Sequence, residues 1–70
     1  MHGYEITLWW SEEDAVFVAE ARELPGCVAH GSTETEALEQ VNEAMKLWLD
    51  VARRSGDPIP QPRHGRRLQA

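Results

Sequence analysis

A Leu-Pro-Gly-Cys element at positions 24–27 separates two parts of this 70-residue chain that differ in hydrophobic period. Proline has no backbone N–H and glycine readily adopts positive φ, so Pro25 and Gly26 interrupt regular structure. Residues before the element alternate between apolar and polar, which is typical of strands, whereas those from position 33 onward repeat with helical spacing. The chain is therefore predicted to be an α+β protein, with a small sheet packed on one long helix.

Three short strands are predicted, at residues 4–10, 15–20 and 27–30. The first alternates between a predicted core-facing set and an outward-facing set, which are Tyr4, Ile6, Leu8 and Trp10, and Glu5, Thr7 and Trp9, respectively. A polar turn of hairpin length follows, in which Asp14 is able to adopt a left-handed conformation. Because both connections between the strands are short, we expect a three-stranded antiparallel meander.

The helix is predicted to run from Thr33 to about Ser55. Thr33 and Glu36 match a capping box, in which each side chain accepts a backbone N–H at the helix start. Gly56 suits the left-handed residue that ends a helix, and Pro58 stops its continuation. The predicted core-facing stripe consists of Leu38, Val41, Met45, Trp48, Leu49 and Ala52.

Three further apolar residues, Ala44, Leu47 and Val51, widen the apolar arc of the helix to roughly 200°. Such an arc is wider than one sheet needs, and a 70-residue chain buries a thin core. We therefore expect a homo-oligomer, with these three residues at the subunit interface. The alternative is that the C-terminal tail folds back and covers them.

Composition limits the function classes. The net charge of −5 argues against nucleic-acid binding by the bulk of the domain and suits a basic partner. Cys27 is the single cysteine and no signal peptide is recognisable, which predicts a cytoplasmic protein. No apolar run approaches the roughly 20 residues that span a bilayer. The spacing of Cys27 and the three histidines fits no usual metal site, and no cofactor is expected.

No catalytic motif is present, and the chain is not expected to be an enzyme. There is no glycine-rich phosphate loop, no His-Glu-x-x-His pattern and no nucleophile elbow. Cys27 and His30 fall on opposite faces of one predicted strand, so they do not form a nucleophile–base pair, and Cys27 is expected to be buried. Most carboxylates lie in turns rather than converging as a magnesium site requires.

The tryptophans suggest a binding surface. Trp10 and Trp48 fall on predicted core faces, whereas Trp9 falls on the outward face. An exposed tryptophan near acidic residues is a typical anchor of a protein–protein interface. The predicted partner-binding residues are Glu5, Thr7 and Trp9 for contact, and Glu12, Glu13 and Asp14 in the turn for electrostatic steering.

Four segments in combination resemble the HicB antitoxin family, and the resemblance extends to about Pro62. They are Phe17-Val18-Ala19-Glu20, Leu24-Pro25-Gly26-Cys27, Gly31-Ser32-Thr33 and Glu36-Ala37-Leu38. One departure is Ala15, where the family often has glycine after the acidic turn. The resemblance implies a β-β-β-α domain, similar to part of ribonuclease H and often with one further short strand, at residues 1–62. Residues 63–70 would then be a basic C-terminal tail.

The resemblance also implies a function. HicB-like proteins are antitoxins of type II toxin–antitoxin systems, and they sequester a HicA-like toxin, a small basic mRNA-cleaving protein. They commonly form dimers or tetramers, so the resemblance implies one of these for the expected homo-oligomer. Many carry a second, DNA-binding domain, for which this chain leaves no room after Pro62, so we expect a short form without direct DNA binding. The alternatives are a solitary HicB-like oligomer with a different partner, and a degenerate ribonuclease H-like metal-dependent nuclease. A third is nucleic-acid binding through the basic residues 63–67.

Overall fold

The computed structural model describes residues 3–61 and contains a three-stranded sheet and one helix. The elements are β1 (Ile6–Ser11), β2 (Val16–Ala21), β3 (Val28–Gly31) and α1 (Glu34–Ser55). The sheet is antiparallel throughout, with the strands in the order β1-β2-β3. The α+β prediction, with three antiparallel strands packed on one long helix, is confirmed.

The helix covers one face of the sheet and lies mainly over β2 and β3. The buried core combines small side chains of β2 with larger ones from the following turn and the helix. Its members are Ala19, Ala21, Leu24, Cys27, Ala37, Val41, Met45 and Leu49. The alanines of β2 let the helix approach closely, so that Leu24, Met45 and Val41 fill the space between the two layers.

Gly31 ends β3 at the point where the helix begins. A Cβ atom at Gly31 would lie 2.6 Å from the backbone nitrogen of Ala37 and 2.8 Å from the Cβ of Glu36. No side chain fits in that space. Glycine at this position therefore permits the close approach of the first helical turn to the sheet.

The helix ends agree with the prediction. Thr33 Oγ1 accepts the backbone N–H of Glu36 at 3.0 Å. The Glu36 carboxylate accepts the backbone N–H of Ser32 at 2.7 Å, one residue before the N-cap rather than at it. Gly56 has φ 76° and donates its N–H to the last helical turn, so it is the left-handed C-cap.

The Leu-Pro-Gly-Cys element is a compact turn fastened to the helix. The backbone N–H of Cys27 donates to the carbonyl of Leu24 at 2.9 Å, and Gly26 has φ 81°. The indole Nε1 of Trp48 donates to the carbonyl of Pro25 at 2.9 Å. Trp48 packs against the core, as predicted, and also holds this turn in place.

Two large residues predicted for the core are exposed instead. Trp10 has 45% of its surface exposed, and Leu38 has 37%. The physical reason is the placement of the helix, which barely contacts β1 and leaves that edge of the sheet uncovered. Trp10 packs edge-on against Phe17, with ring centroids 4.9 Å apart, at the sheet margin.

The turn between β1 and β2 also differs from the prediction. The left-handed residue is Ala15, with φ 55°, and not Asp14. Asp14 instead accepts a hydrogen bond from the Ser11 hydroxyl at 3.4 Å and donates its N–H to Ser11 Oγ at 3.3 Å. The side chain of Ser11 thus closes the turn, and the left-handed conformation falls on the next residue.

The chain after the helix runs back toward the start of β1. The Tyr4 hydroxyl donates to the carbonyl of Pro60. Leu47 and Val51 stay exposed, so residues 57–61 do not cover them. The domain boundary after residue 62, the basic tail and any extra strand within it lie outside the described residues.

Candidate protein-binding site on the open face of the sheet

The face of the sheet opposite the helix carries the residues predicted to contact a partner. We call it the open face, and its strand residues are Thr7, Trp9, Ser11, Val16, Val18, Glu20, Val28 and His30. Among residues 3–61, α1 is the one helix, and it packs on the other face. The open face is therefore available to a partner in the described part of the chain.

Trp9 lies in the central row of the open face. The strand register places Trp9 opposite Val18, and Val18 opposite His30. Trp9 is 41% exposed, and Val28, on the neighbouring row, is 51% exposed. This combination of an aromatic ring and valines with a polar surround is typical of the centre of a protein–protein interface.

A shallow depression adjoins the tryptophan on the β2–β3 side. Val16, Val18 and Val28 provide its apolar lining, and Asp14 and His30 form its polar margin. A protruding apolar side chain of a partner could bury area here, next to Trp9. The depression thus extends the predicted site across all three strands.

The predicted acidic residues flank the open face and do not cluster on it. Glu5 precedes β1, and its backbone N–H donates to the Glu23 carboxylate at 2.8 Å. The turn residues Glu12, Glu13 and Asp14 lie at the other end of β1, which spans about 20 Å over its six residues. A partner on the open face would therefore meet negative charge at both ends of the strand.

The structure brings Thr7 and Trp9 together on one face and adds residues that the sequence reasoning missed. Those are Val16, Val18, Val28 and His30. The alternation of β2 indicates Val16 and Val18, because every second residue of a strand points to the same face and the buried Ala19 points to the other. The predicted oligomer residues Ala44, Leu47 and Val51 lie elsewhere, on the side of α1 next to β3.

Cys27 is buried, with 3% of its surface exposed, and it precedes β3. Burial in an apolar setting raises the pKa of the Cys27 thiol, which favours the neutral form. His30 is exposed and on the open face. The expectation of a buried cysteine separated from His30 is confirmed.

Within residues 3–61, no three His, Cys, Asp or Glu side chains lie close enough together to hold a metal ion. In the same range, no helix is both long enough and apolar enough to cross a membrane. What the open face provides is apolar area with hydrogen-bonding side chains beside it, an arrangement that suits recognition of another protein surface.

Comparison with known proteins gives matches over the same region. The family model described as UPF0150-like matches residues 4–60. A UPF0150 protein of Thermoplasma acidophilum is 32% identical over 50 residues, covering 71% of this chain and 72% of the relative. A UPF0150 protein of Synechocystis is 41% identical over 44 residues, covering 63% of this chain and 60% of the relative.

A third relative, a UPF0150 protein of Archaeoglobus fulgidus, is 35% identical over 46 residues, covering 66% of this chain and 67% of the relative. No solved structure matches the chain. The family model spans the whole β-β-β-α unit, from Tyr4 before β1 to Pro60 beyond the helix. The chain therefore belongs to the UPF0150-like family.

Proposed function

We propose that this chain is a HicB-like, antitoxin-type binding module that sequesters a small basic HicA-like mRNA-cleaving toxin. The observation that carries the proposal is the open face, an uncovered sheet surface centred on Trp9 and flanked by acidic residues. The toxin would dock on this face, and its active site would be blocked by the bound domain.

Apolar burial would supply most of the affinity. Trp9 and Val28 are exposed on the open face, and tryptophan is among the residues that most often dominate interface energetics. The β1–β2 ladder fixes the backbone of Trp9 opposite Val18, so burying this residue in a complex costs little backbone conformational entropy. A preformed anchor of this kind favours a stable complex.

Electrostatic complementarity would favour a basic partner. The chain carries a net charge of −5, and Glu12, Glu13 and Asp14 lie together in the exposed turn at the end of β1. Opposite charge on the toxin would accelerate the encounter, and the negative charge of this chain would disfavour nucleic acid as an alternative ligand. The family membership and the resemblance of the Leu-Pro-Gly-Cys and helix-start segments to HicB proteins support the same partner.

The proposal is tested by inhibition of the toxin. An active HicA-like toxin is incubated with an RNA substrate and increasing amounts of the chain, and RNA cleavage is followed on a gel. We expect cleavage to stop near a stoichiometric ratio. Undiminished cleavage at a large excess of the chain would contradict the toxin as partner, and would favour a solitary family member that binds another protein.

The nuclease alternative gains no support from residues 3–61, in which the carboxylates do not converge. Incubation of the chain alone with RNA and magnesium serves as the control in the same assay. We expect no cleavage above the buffer blank.

A further inference from the structure

The depression on the open face combines an apolar floor with a polar margin. Its volume is about 310 Å³, at the lower end of the roughly 300–1,000 Å³ that ligand pockets occupy. Val16, Val18 and Val28 form the floor. Asp14 and His30 form the margin, and both are exposed. A space of this size and lining suits one long side chain of a partner.

The Asp14 carboxylate is held by the turn and keeps hydrogen-bonding capacity. Its Oδ2 accepts the Ser11 hydroxyl at 3.4 Å, and within residues 3–61 the carboxylate makes no other hydrogen bond. An ionised carboxylate has about four acceptor positions. The other carboxylate of the open face, that of Glu20, already lies 3.9 Å from Arg22 Nε. Asp14 is therefore the negative charge that the depression offers to a partner.

The lining discriminates between possible occupants. A purely apolar side chain would cover the Asp14 carboxylate without pairing it, and burying an unpaired charge is costly. An acidic side chain would be repelled by Asp14 in a chain of net charge −5. A long basic side chain satisfies both parts of the depression, because its hydrocarbon stem packs on the valines while its charged end pairs with the carboxylate.

We propose that the depression binds an arginine side chain of the toxin, with the guanidinium on Asp14 and the stem on Val16, Val18 and Val28. This inference rests on the proposed function, since it assigns a partner side chain to the same open face. Arginine fits better than lysine, because a guanidinium is less strongly hydrated, binds a carboxylate through two N–H groups and stacks on aromatic rings. Trp9 lies opposite Val18 and supplies such a ring beside the depression.

The arginine site separates Asp14 from its neighbours in the acidic turn. Glu12 and Glu13 are exposed and do not line the depression. Charges at the rim of an interface act mainly on the association rate, whereas a charge pair covered by the partner acts on the dissociation rate. Asp14 should therefore determine how long the complex lasts, and Glu13 only how fast it forms.

Dissociation of the full chain from an immobilised inactive HicA-like toxin tests this difference. The wild type is compared with Asp14→Asn and with Glu13→Gln, which each remove one negative charge from the same turn. An asparagine side chain keeps an oxygen that can accept the Ser11 hydroxyl, and circular dichroism checks that both variants remain folded. Both should associate more slowly than the wild type. Dissociation should be on the order of tenfold faster for Asp14→Asn and unchanged for Glu13→Gln.

A double-mutant cycle identifies the occupant. Each arginine and each lysine of the toxin is replaced in turn by methionine, which keeps an apolar stem and removes the charge. One arginine replacement should accelerate dissociation from the wild-type chain about tenfold. The same replacement should have little further effect on the complex of Asp14→Asn, because the effects of two residues in direct contact are not additive.

The outcomes distinguish this inference from the proposed function. Absence of binding by the wild-type chain would contradict both. Binding by the wild type with equal dissociation rates for Asp14→Asn and Glu13→Gln would overturn the arginine site and leave the toxin as the partner. Coupling of Asp14 to a lysine of the toxin, or to none of its basic residues, would overturn the arginine site as well.

Discussion

Trp9 and Val18 lie directly opposite each other on β1 and β2, on the face of the sheet that the helix leaves uncovered. The ladder fixes the backbone beneath both side chains, and His30 of β3 continues the same row. An aromatic residue in such a position is preorganised for burial by another protein. The register of the sheet, and not a loop, thus presents the proposed binding surface.

The acidic turn should control the rate of association with the proposed basic toxin. Reversing Glu12 and Glu13 to lysine should slow association on the order of tenfold at low salt, because opposite charges steer the encounter. The salt dependence of the association rate should weaken as well. Stopped-flow mixing with an inactive toxin measures both quantities.

The matched control for steering is the Glu34→Lys, Glu39→Lys chain, which has the same net charge but alters the helix instead of the turn. Its association rate should fall less. Equal rates for the two double variants would mean that net charge alone matters and that the turn has no special role.

Gly31→Ala should destabilise the fold by about 1–3 kcal/mol, the usual range for overpacking. A Cβ at this position would lie 2.6 Å from the Ala37 nitrogen, whose N–H donates to the Thr33 carbonyl at 3.0 Å. Urea unfolding gives the free energy, and the amide of Ala37 should exchange faster. In Gly26→Ala, which has open space but φ 81°, the Ala37 amide should be unaffected. Unchanged exchange of Ala37 in Gly31→Ala would refute the steric account.

Ala15→Gly should stabilise the protein. Ala15 has φ 55°, and the left-handed region costs a non-glycine residue about 1–2 kcal/mol. The greater conformational freedom of glycine in the unfolded chain offsets about 0.5–1 kcal/mol of that gain relative to alanine. The expected net gain is therefore about 0.5–1 kcal/mol in urea unfolding. Ala19→Gly, within β2 and fully buried, should instead lose stability; a loss in both variants would argue against a strained turn.

Alkaline pH should destabilise the fold through Cys27. Burial raises the pKa of the Cys27 thiol above its ordinary value of 9.0. The unfolded chain therefore loses this proton first, and the free energy of unfolding falls as pH rises above 9.0 and on through the raised pKa of the folded state. Urea unfolding of Cys27→Ala should show a shallower decline than the wild type over this interval. Parallel pH profiles would show that the thiol does not contribute.

The helix was predictable because its boundaries depend on neighbours in sequence. Thr33, Glu36 and Gly56 act within one turn of the helix ends, and the structure places all three as caps. The outward orientation of Trp9 was predictable as well, since strand alternation is local. The left-handed position in the β1–β2 turn was less predictable. It falls on Ala15 because the Ser11 side chain forms a hydrogen bond with Asp14.

The extent of helix coverage was not predictable from periodicity. Trp10 and Leu38 have the right spacing for the core, but burial depends on where the helix crosses the sheet. Small residues on β2 and the glycine at the end of β3 draw the helix toward those strands and away from β1. The same long-range placement exposes the side of α1 next to β3, which no single segment encodes.

The most direct test of the central claim is a calorimetric titration of an inactive HicA-like toxin with the wild-type chain, Trp9→Ala and Trp10→Ala. The two tryptophans are neighbours with similar exposure, 41% and 45%, but they lie on opposite faces of β1. We expect the wild type and Trp10→Ala to bind with similar affinity. Trp9→Ala should bind about 30-fold more weakly, the equivalent of about 2 kcal/mol for a lost interface anchor. Absence of binding by the wild type, or equal affinities for all three chains, would contradict the open face as the antitoxin surface.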